Sequence, residues 1–272
     1  MDTSEQDRDA PHIVISVVSH GHGRGLGGLL ESLRDARHPL LSVVLTANVD
    51  EDLSFAPPLL GGRLRIRRNA APRGFGANHN AVWAEAAADV FCVCNPDVRV
   101  EPDVFGPLLA ALEDPGVGVA APRVLSPAGE LEDSVRRDLT PGRVLARVWR
   151  GPRAHEYDLA GAPPLRPDWV AGMFMAFRWE AFGAVGGFDE RFYLYCEDAD
   201  ICRRLRRAGR RVVYVPAATI THDARRASRR SLVHLSRHVT SLARYWLVPA
   251  APPRGGRLPA PAARPGAARR GR

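Results

Sequence analysis

Long apolar segments are missing from the sequence. No stretch approaches the roughly 20 apolar residues that a membrane-spanning helix needs. Residues 1 to 11 are polar and acidic, unlike the basic and then apolar start of a secretory leader. We therefore expect a cytoplasmic protein. The sequence has 272 residues, of which 45% are hydrophobic, and this is enough to bury the core of a full domain.

Cysteines are few and are not spaced in pairs. The sequence has 4 cysteines, and none of them forms the CxxC motif that is typical of zinc sites. Cys92 and Cys94 alternate inside an apolar run, as small residues of a buried strand do. With Cys196 and Cys202, they are predicted to be free core residues, and a disulfide framework is excluded.

Lysine is absent, so all 38 cationic side chains of the lysine and arginine class are arginines. The formal net charge of +8 comes from residues 223 to 272, which contain twelve arginines and one acidic residue, whereas residues 1 to 222 are mildly acidic. A basic segment of this kind indicates a phosphate-rich or membrane-surface partner and argues against a nucleic-acid-reading domain. Arginine suits forked contacts to phosphate, although an arginine-rich genome would give the same composition.

Short apolar strands alternate with helices over residues 12 to 116. The predicted strands are 12–18, 41–45, 63–67 and 90–94, and the predicted helices begin near Leu26 and cover 77–88 and 104–112. Short β-branched runs that end in Gly-rich or polar loops are typical of buried parallel strands. The alternation predicts an α/β fold with a doubly wound sheet, in which ligands bind beyond the carboxyl ends of the strands.

The alternation weakens after residue 117. Strands are predicted at 117–121, 169–177 and 211–215, with Gly- and Pro-rich loops between them. An apolar stripe then predicts a C-terminal amphipathic helix; its members are Leu232, Leu235, Val239, Leu242 and Trp246. This helix, which also carries Arg237 and Arg244, either packs against the domain or lies on the inner face of the membrane.

A carboxylate follows the fourth predicted strand. In the sequence Asn95-Pro96-Asp97, the proline forces Asn95 into an extended conformation, so that Asp97 projects beyond the sheet. Mg²⁺ and Mn²⁺ bind through one or two such protein oxygens together with substrate phosphates. Asp97 is therefore a candidate metal ligand, and the alternative is an ordinary turn.

Three acids crowd the start of a later predicted helix. Glu197, Asp198 and Asp200 follow the stretch from Gly186 to Tyr195, which is rich in aromatic residues. Capping a helix needs only one acid. Like charges packed together raise one another's pKa, so one of these carboxylates could accept a proton from an attacking hydroxyl. Both a general base and a helix cap remain open.

His222 follows the predicted strand 211–215 and a turn at Pro216. As a metal ligand it would favour Mn²⁺ over Mg²⁺, because imidazole is a softer donor than a carboxylate. A basic cluster just beyond it could grip a pyrophosphate or an anionic acceptor; it consists of Arg225, Arg226, Arg229 and Arg230. A structural histidine and a solvated basic stretch are the alternatives.

Taken together, these motifs resemble glycosyltransferase family 2, in particular its bacterial rhamnosyltransferase-like members. The resemblance runs from His12 to about Trp246 and depends on the loop Arg73 to Asn80, the triplet Asn95 to Asp97 and the stretch Gly186 to Asp200. It implies the GT-A type of fold, which is a Rossmann-like, doubly wound mixed sheet in a single domain. A C-terminal helix and a disordered basic tail would follow that domain.

The resemblance also implies a role for individual residues. The nucleotide-sugar would be bound by Ser19, His20, Thr46, Asn48, Asn69, Gly74, Gly76, Asn78, Asn95 and Asp97. Asp97 and His222 would hold Mg²⁺ or Mn²⁺. Asp198 would be the catalytic base, and Glu197 would orient the sugar or the acceptor. Trp169 and Gly172 would lie beneath the acceptor.

On this basis the chain divides into five segments. Residues 1–11 form a disordered N-terminus, 12–116 a nucleotide-sugar-binding half, 117–230 an acceptor-binding and catalytic half, 231–248 the amphipathic helix, and 249–272 a disordered Pro- and Arg-rich tail. The basic C-terminal region is the expected contact with the inner face of the plasma membrane.

Two departures from the family pattern concern the nucleotide base. Thr46-Ala47-Asn48 stands where the family usually has Asp-Asn, whose aspartate touches a uracil or thymine base. Ser19-His20-Gly21-His22 replaces Ser/Thr-Tyr-Asn, so His20 becomes the candidate for stacking on the base. The identity of the nucleotide therefore stays open.

The implied reaction is an inverting transfer of a sugar, such as rhamnose or another deoxyhexose. The donor is a nucleotide diphosphate sugar, and the acceptor is a glycan or a lipid-linked sugar in cell-surface polysaccharide synthesis. Two other classes remain open. A sugar-phosphate nucleotidyltransferase would carry a basic, Gly-rich loop after strand one, where this chain offers only Arg24. A non-catalytic polyanion-binding protein would not need Asp97, Glu197 and Asp198 in one cleft.

Overall fold

The computed structural model of the protein describes residues 10–150, 156–157, 159, 164–223, 232–247 and 249. The predicted disordered ends therefore lie almost wholly outside the described residues, as does the basic cluster of Arg225, Arg226, Arg229 and Arg230. Within the described ranges, no helix is both long and apolar enough to cross a membrane.

Eight of the ten strands in the described residues form one sheet, in the spatial order β3-β2-β1-β4-β9-β6-β10-β5. The strands are β1 (Ile13–Ser19), β2 (Leu41–Ala47), β3 (Leu64–Arg68), β4 (Val90–Cys94), β5 (Val98–Val100), β6 (Val117–Leu125), β7 (Val135–Arg136), β8 (Trp169–Val170), β9 (Phe174–Arg178) and β10 (Arg211–His222). Strands β7 and β8 pair separately as a small two-stranded sheet. Strands from both predicted halves of the chain therefore share the main sheet.

The main sheet is mixed rather than uniformly parallel. Strands β1 to β4 are parallel, as their apolar runs predict. Strand β9 lies antiparallel between β4 and β6, and β5 is antiparallel to β10. The predicted single strand at 169–177 is wrong: β8 pairs with β7 and β9 with β4, and residues 171–173 separate them. Two different partner strands require this break.

Helices cover both faces of the sheet, giving three layers. They are α1 (Gly27–Asp35), α2 (Pro57–Leu60), α3 (Phe75–Glu85), α4 (Phe105–Glu113), α5 (Pro141–Arg150), α6 (Trp179–Ala184), α7 (Glu197–Arg207) and α8 (Leu232–Leu247). One core contains Leu29 of α1 and Leu108 of α4, and the other contains Phe182 of α6 and Leu205 of α7. Burial of these side chains, at roughly 1.5–3 kcal/mol each, fixes the sheet on which the site is built.

Helix α8 contacts the domain through a different face from the one that its apolar stripe predicts. Leu235 and Val239 are each 60% exposed, and Leu242 is half-buried against the core. Ser241 and Tyr245 are buried instead, and the Ser241 hydroxyl donates to the Leu194 carbonyl at 2.9 Å. Much of the described stripe therefore faces away from the protein.

Candidate active site

A cavity of about 670 Å³ lies beyond the carboxyl ends of β1, β2 and β4. It is lined by Val18, His20, Gly21, His22, Asn48, Arg73, Phe75, Asn78, His79, Cys94, Asn95, Pro96, Asp97, Tyr193, Leu194, Tyr195 and Arg237. Its size and its mixture of aromatic and polar groups suit a ligand as large as a nucleotide. Five of the predicted donor-binding residues line it directly: His20, Asn48, Asn78, Asn95 and Asp97.

Asn48 joins three segments at one end of this cavity. Its side-chain oxygen accepts hydrogen bonds from Asn69 Nδ2 at 2.8 Å and from the Arg73 N–H at 2.8 Å. Its own amide donates to the Arg73 carbonyl at 3.0 Å and to His20 Nδ1 at 3.2 Å. Asn69 also donates to Asn78 Oδ1 at 2.6 Å. These asparagines therefore fix the loops after β2 and β3 against α3.

The loop after β1 is held by Glu51, a residue that the sequence patterns did not single out. Its carboxylate accepts hydrogen bonds from the Ser19 hydroxyl at 2.8 Å and from the N–H groups of Gly21 at 3.2 Å and Gly23 at 2.9 Å. Ser19 is fully buried in this contact, and His20 and His22 of the same loop line the cavity. Glu51 therefore shapes one wall of the cavity without lining it.

Replacing Glu51 by Gln is expected to weaken nucleoside diphosphate binding about tenfold and to leave the maximal turnover nearly unchanged. An amide offers one acceptor oxygen where the carboxylate offers two, so the loop would be less ordered before binding. The dissociation constant from calorimetry measures the effect. Glu85→Gln is the matched control, because Glu85 pairs with Arg65 and Arg67 on the exposed surface. Equal affinity of both variants would exclude the proposed role of Glu51.

Two predicted donor-binding glycines pack against the later motif. A Cβ at Gly74 would lie 2.8 Å from the Tyr193 carbonyl oxygen, and one at Gly76 would lie 2.6 Å from Phe188 Cβ. Asn80 strengthens this contact by donating to the Phe188 carbonyl and accepting from the Phe188 N–H, each at 2.8 Å. The absence of side chains at Gly74 and Gly76 therefore lets two distant loops meet at the cavity.

His79 is a second group at the cavity that the sequence patterns missed. Its Nδ1 lies 2.7 Å from the Ser16 hydroxyl, while its Nε2 is buried and has no hydrogen-bond partner in the described structure. Burial lowers the pKa of His79 to about 3, so the ring is neutral near pH 7. Phe75 packs edge-on against it, with the ring centroids 4.4 Å apart.

Asp97 and His222 lie side by side, although 125 positions separate them in the sequence. Strand β10 delivers His222 beside Val98 of β5, and the Asp223 N–H donates to the Asp97 carbonyl at 2.9 Å. His222 Nε2 is 3.4 Å from Asp97 Oδ1, and His222 Nδ1 is 2.8 Å from Glu132 Oε2. Burial favours the neutral acid, but His222 outweighs it and lowers the pKa of Asp97.

These groups fit a divalent metal ion. Among the described residues, Asp97 Oδ1 is buried and has no partner with hydrogen-bond geometry, so it can bind a cation once the neighbouring His222 is neutral. Glu132 accepts from Nδ1 of His222, which leaves Nε2 toward Asp97 as the ligand atom once the ring is neutral. Among the described residues, no group of three or more His, Cys, Asp and Glu side chains is arranged to hold a metal by itself. A metal here would need further ligands such as phosphate oxygens.

The metal-free protein is expected to lose stability as the pH rises from about 6.5 to 9. Burial alone would lower the pKa of His222, but contact with Asp97 and Glu132 raises it from 6.5 to about 9. The folded state therefore binds more protons than the unfolded state in this window, and the stabilisation present below pH 6.5 is lost as His222 deprotonates.

Thermal unfolding between pH 6 and 9.5 measures this dependence. His222→Gln should flatten it, whereas His38→Gln should not, because burial lowers the pKa of His38. An identical slope in wild type and His222→Gln would contradict the assignment.

Asp198 lies in the first turn of α7 and is held by two backbone donors. Its Oδ2 accepts from the Gly172 N–H at 3.0 Å, and its Oδ1 accepts from the Ala199 N–H at 2.8 Å. Burial raises the pKa of Asp198, and these two hydrogen bonds limit the rise. Asp198 is therefore an oriented carboxylate of raised basicity.

The neighbouring acids differ from Asp198 in their surroundings. Glu197 is buried, and burial together with the charge of Asp198 holds its pKa well above the usual range. Glu197 Oε2 has no hydrogen-bond partner in the described structure, so no hydrogen bond to this oxygen stabilises the charged form of Glu197. Asp200 is fully buried and pairs with Arg203 at 2.9 Å and Arg204 at 2.7 Å, so it stabilises the helix. The ion pairs of Asp200 are not helix caps, and the N-cap residue Cys196 makes no side-chain cap hydrogen bond.

The backbone before α7 is strained. Tyr195 and Cys196 have φ values of 75° and 65°, in the left-handed region that non-glycine residues rarely adopt. The Tyr195 ring stacks on His238 of α8, and the Arg237 guanidinium lies 4.7 Å from the Tyr193 ring. Helix α8 therefore supports the segment that presents Asp198 and adds Arg237 to the cavity, a contribution that the sequence patterns did not predict.

The remaining predicted residues lie behind the cavity. Thr46 is fully buried, and its hydroxyl has no hydrogen-bond partner in the described structure. Trp169 is 4% exposed, and its indole N–H donates to the Arg137 carbonyl at 2.8 Å. Because Trp169 is buried, the adjacent loop 171–173 is the part of this segment that can contact a ligand.

The loop 171–173 links the end of β4 to the start of α7. The Asn95 N–H donates to the Met173 carbonyl at 2.9 Å, and the neighbouring Gly172 N–H binds Asp198. A Cβ at Gly172 would lie 3.5 Å from Phe75 Cζ, and Phe75 lines the cavity. Asp198 does not line the cavity itself, but it contacts Gly172, which lies beside the cavity-lining Phe75.

Sequence comparisons relate the chain to known sugar-transferring proteins. Residues 95–242 match the profile of glycosyl transferase family group 2. N-acetylglucosaminyl-diphospho-decaprenol L-rhamnosyltransferase of Mycobacterium tuberculosis is 33% identical over 246 residues, covering 82% of this chain and 80% of the relative. Rhamnosyltransferase WbbL of Escherichia coli is 44% identical over 79 residues, covering 29% of this chain and 30% of the relative.

Solved structures with similar folds are also glycosyltransferases. GalNAc-T7 with UDP, GalNAc and Mn²⁺ has a TM-score of 0.64 at 18% identity, covering 80% of this chain and 44% of that chain. The mannosyltransferase PcManGT from Pyrobaculum calidifontis, in complex with GDP-Man and Mn²⁺, has a TM-score of 0.61 at 16% identity, covering 91% and 67%. At this level of identity, the likeness establishes the GT-A fold alone.

Proposed function

Because the chain belongs to glycosyl transferase family group 2, we propose that it is an inverting, metal-dependent enzyme that uses a nucleotide diphosphate sugar as its donor. The arrangement around loop 171–173 carries this proposal. The Asp198 carboxylate contacts Gly172, whose neighbour Phe75 lines the same cavity as Asp97. A donor diphosphate near Asp97 would then direct its sugar toward Asp198.

Asp198 is the proposed general base. In an inverting displacement, the acceptor hydroxyl attacks the anomeric carbon, the bond to the diphosphate breaks on the opposite face, and the hydroxyl proton passes to a base. The raised pKa of Asp198 suits this transfer, and its two backbone donors hold the carboxylate in one orientation. The raised pKa of Glu197 favours its protonated form, which would donate a hydrogen bond that orients the sugar or the acceptor.

Asp97 and His222 are the proposed ligands of Mn²⁺ or Mg²⁺. When bound, this ion would neutralise the negative charge of the departing diphosphate. His222 favours Mn²⁺, because imidazole is the softer ligand. The asparagine contacts around Asn48, with His20 and Arg73, would hold the nucleoside, and Arg237 would face the phosphates.

We propose a deoxyhexose such as rhamnose as the sugar and a diphosphate-linked lipid as the acceptor carrier. The name of the mycobacterial relative specifies rhamnose as the sugar and a diphosphate-linked lipid as the acceptor carrier. The match covers 80% of that relative, which supports this choice. Transfer would serve cell-surface polysaccharide synthesis at the inner face of the plasma membrane. The arginines of the C-terminal region, outside the described residues, would help to hold the enzyme there.

A thermal-shift screen of nucleoside diphosphates and their sugars, with and without Mn²⁺, tests this function. We expect one nucleotide to stabilise the protein selectively, and more strongly with the metal, because a ligand that binds the folded state raises the melting temperature. Stabilisation by nucleoside triphosphates alone would favour a nucleotidyltransferase. Stabilisation by polyanions alone would favour the binding protein.

A further inference from the structure

Helix α5 is amphipathic, but its apolar side faces solvent. Leu145 and Trp149, one helical turn apart, are 61% and 86% exposed. At 100° per residue, Arg143 and Arg147 lie on the opposite side of the helix. That side is turned to the protein: Arg147 pairs with Asp133, and Arg143 lies 3.9 Å from Asp168. The apolar side of α5 therefore has no partner in the described part of the chain.

The last turn of α8 contacts the residues that precede α5 and also exposes apolar side chains. The indole N–H of Trp246 donates to the carbonyl of Leu139, two residues before α5 begins, and the hydroxyl of Tyr245 donates to Asp138. Trp246 and Leu247 are 41% and 80% exposed. The end of α8 thus contacts the segment that leads into α5, and both helices expose large apolar side chains. Exposure of such a patch indicates a binding surface.

The charge around this surface indicates an anionic occupant. Neither α5 nor α8 contains an acidic residue. Arg143 and Arg147 of α5 contact acids of the domain, but the segments next to α8 in the sequence, 223–231 and 249–272, contain ten arginines and one acidic residue. Exposed tryptophan and leucine beside arginines are typical of helices that lie in the interface of an anionic bilayer. A protein partner or a second copy of the chain would not require this excess of one charge.

We propose that α5, together with the last turn of α8, docks the protein on the surface of an anionic phospholipid bilayer through Leu145, Trp149, Trp246 and Leu247. The proposal rests on the proposed function, because docking would bring the active site to a lipid-linked acceptor. It differs from attachment through the basic tail, because the apolar side chains of a folded helix carry the binding.

Vesicle co-sedimentation of the full chain tests this surface. We expect binding to vesicles of phosphatidylglycerol and phosphatidylcholine, weaker binding to phosphatidylcholine alone, and a blue shift of tryptophan emission on binding. The double variant Leu145→Ser/Trp149→Ser should bind at least about tenfold more weakly, because two large apolar side chains no longer enter the interface. The control Leu40→Ser, which alters a 37% exposed leucine outside both helices, should bind like the wild type.

Three results would overturn the proposal. The first is that the double variant binds vesicles like the wild type. The second is that the double variant retains vesicle binding and deletion of residues 250–272 abolishes it. The third is that the wild type does not bind vesicles but forms a dimer, and that the double variant stays monomeric. Retention of most vesicle binding after the deletion would support the role of α5.

Nucleoside diphosphate binding, measured by thermal shift, separates this proposal from the proposed function. The double variant should keep the response of the wild type, since α5 lies outside the cavity lining. If no nucleoside diphosphate stabilises either protein while the loss of vesicle binding is still observed, the proposed function fails and the docking surface stands.

Discussion

Asp198→Asn is expected to lower the turnover number about 10²–10⁴-fold, the usual contribution of a general base. The amide keeps the shape of the side chain but cannot take the proton of the acceptor hydroxyl. Donor affinity should change less than twofold, because Asp198 is not among the residues that line the donor cavity and its proposed contact is with the acceptor. Steady-state transfer and calorimetric titration with the donor measure the two quantities separately.

The control for this substitution is Asp103→Asn, which alters an exposed acid next to α4. It should leave turnover, donor affinity and melting temperature close to those of the wild type. Near-normal turnover of Asp198→Asn would remove Asp198 as the base. Loss of turnover with an equally large loss of donor affinity would instead make Asp198 a donor-binding residue.

Asp97→Ala is expected to abolish the metal-dependent part of nucleoside diphosphate binding. A carboxylate that binds the ion directly is lost, and the remaining candidate ligand, His222, then faces an alanine. We expect the dissociation constant in the presence of Mn²⁺ to rise at least about 100-fold, while weak metal-independent binding persists. Calorimetry with and without Mn²⁺ measures the metal-dependent and the metal-independent binding of the nucleoside diphosphate.

Glu132→Gln is a graded comparison for Asp97→Ala, because Glu132 contacts His222 and not Asp97. Loss of the negative charge beside His222 should weaken metal-dependent binding about 10- to 100-fold, the usual effect of mutating outer-shell partners of metal ligands. Equal nucleoside diphosphate affinity of Asp97→Ala and the wild type in Mn²⁺ would count decisively against the metal site.

The local sequence pattern predicted the parts of the fold that depend on neighbouring residues. Strands β1 to β4 and helices α1, α3 and α4 are found within a few residues of their predicted positions, because buried strands and helix faces have strong periodicity. The antiparallel insertion of β9 between β4 and β6 was not predicted from periodicity, since a strand's pattern does not specify its partners. The mixed sheet was predicted from the family resemblance instead.

The residues that the sequence patterns missed act across long distances in the chain. Glu51 holds a loop about 30 positions away, and Glu132 contacts His222 across 90 positions. Contacts of this kind leave no local signal. Helix α5 was missed for a different reason: Leu145 and Trp149 are spaced as on one helix face, so the signal was present, but it lay in a Gly-, Pro- and Arg-rich region.

The placement of Asp97 and Asp198 on opposite ends of one bound donor is the claim on which the function depends. A crystal structure of Asp198→Asn with Mn²⁺ and an intact nucleotide sugar tests it most directly. We expect the metal and the diphosphate at Asp97 and His222, and the anomeric carbon facing residue 198. A donor bound with its sugar turned away from residue 198, or a diphosphate bound elsewhere, would contradict the account.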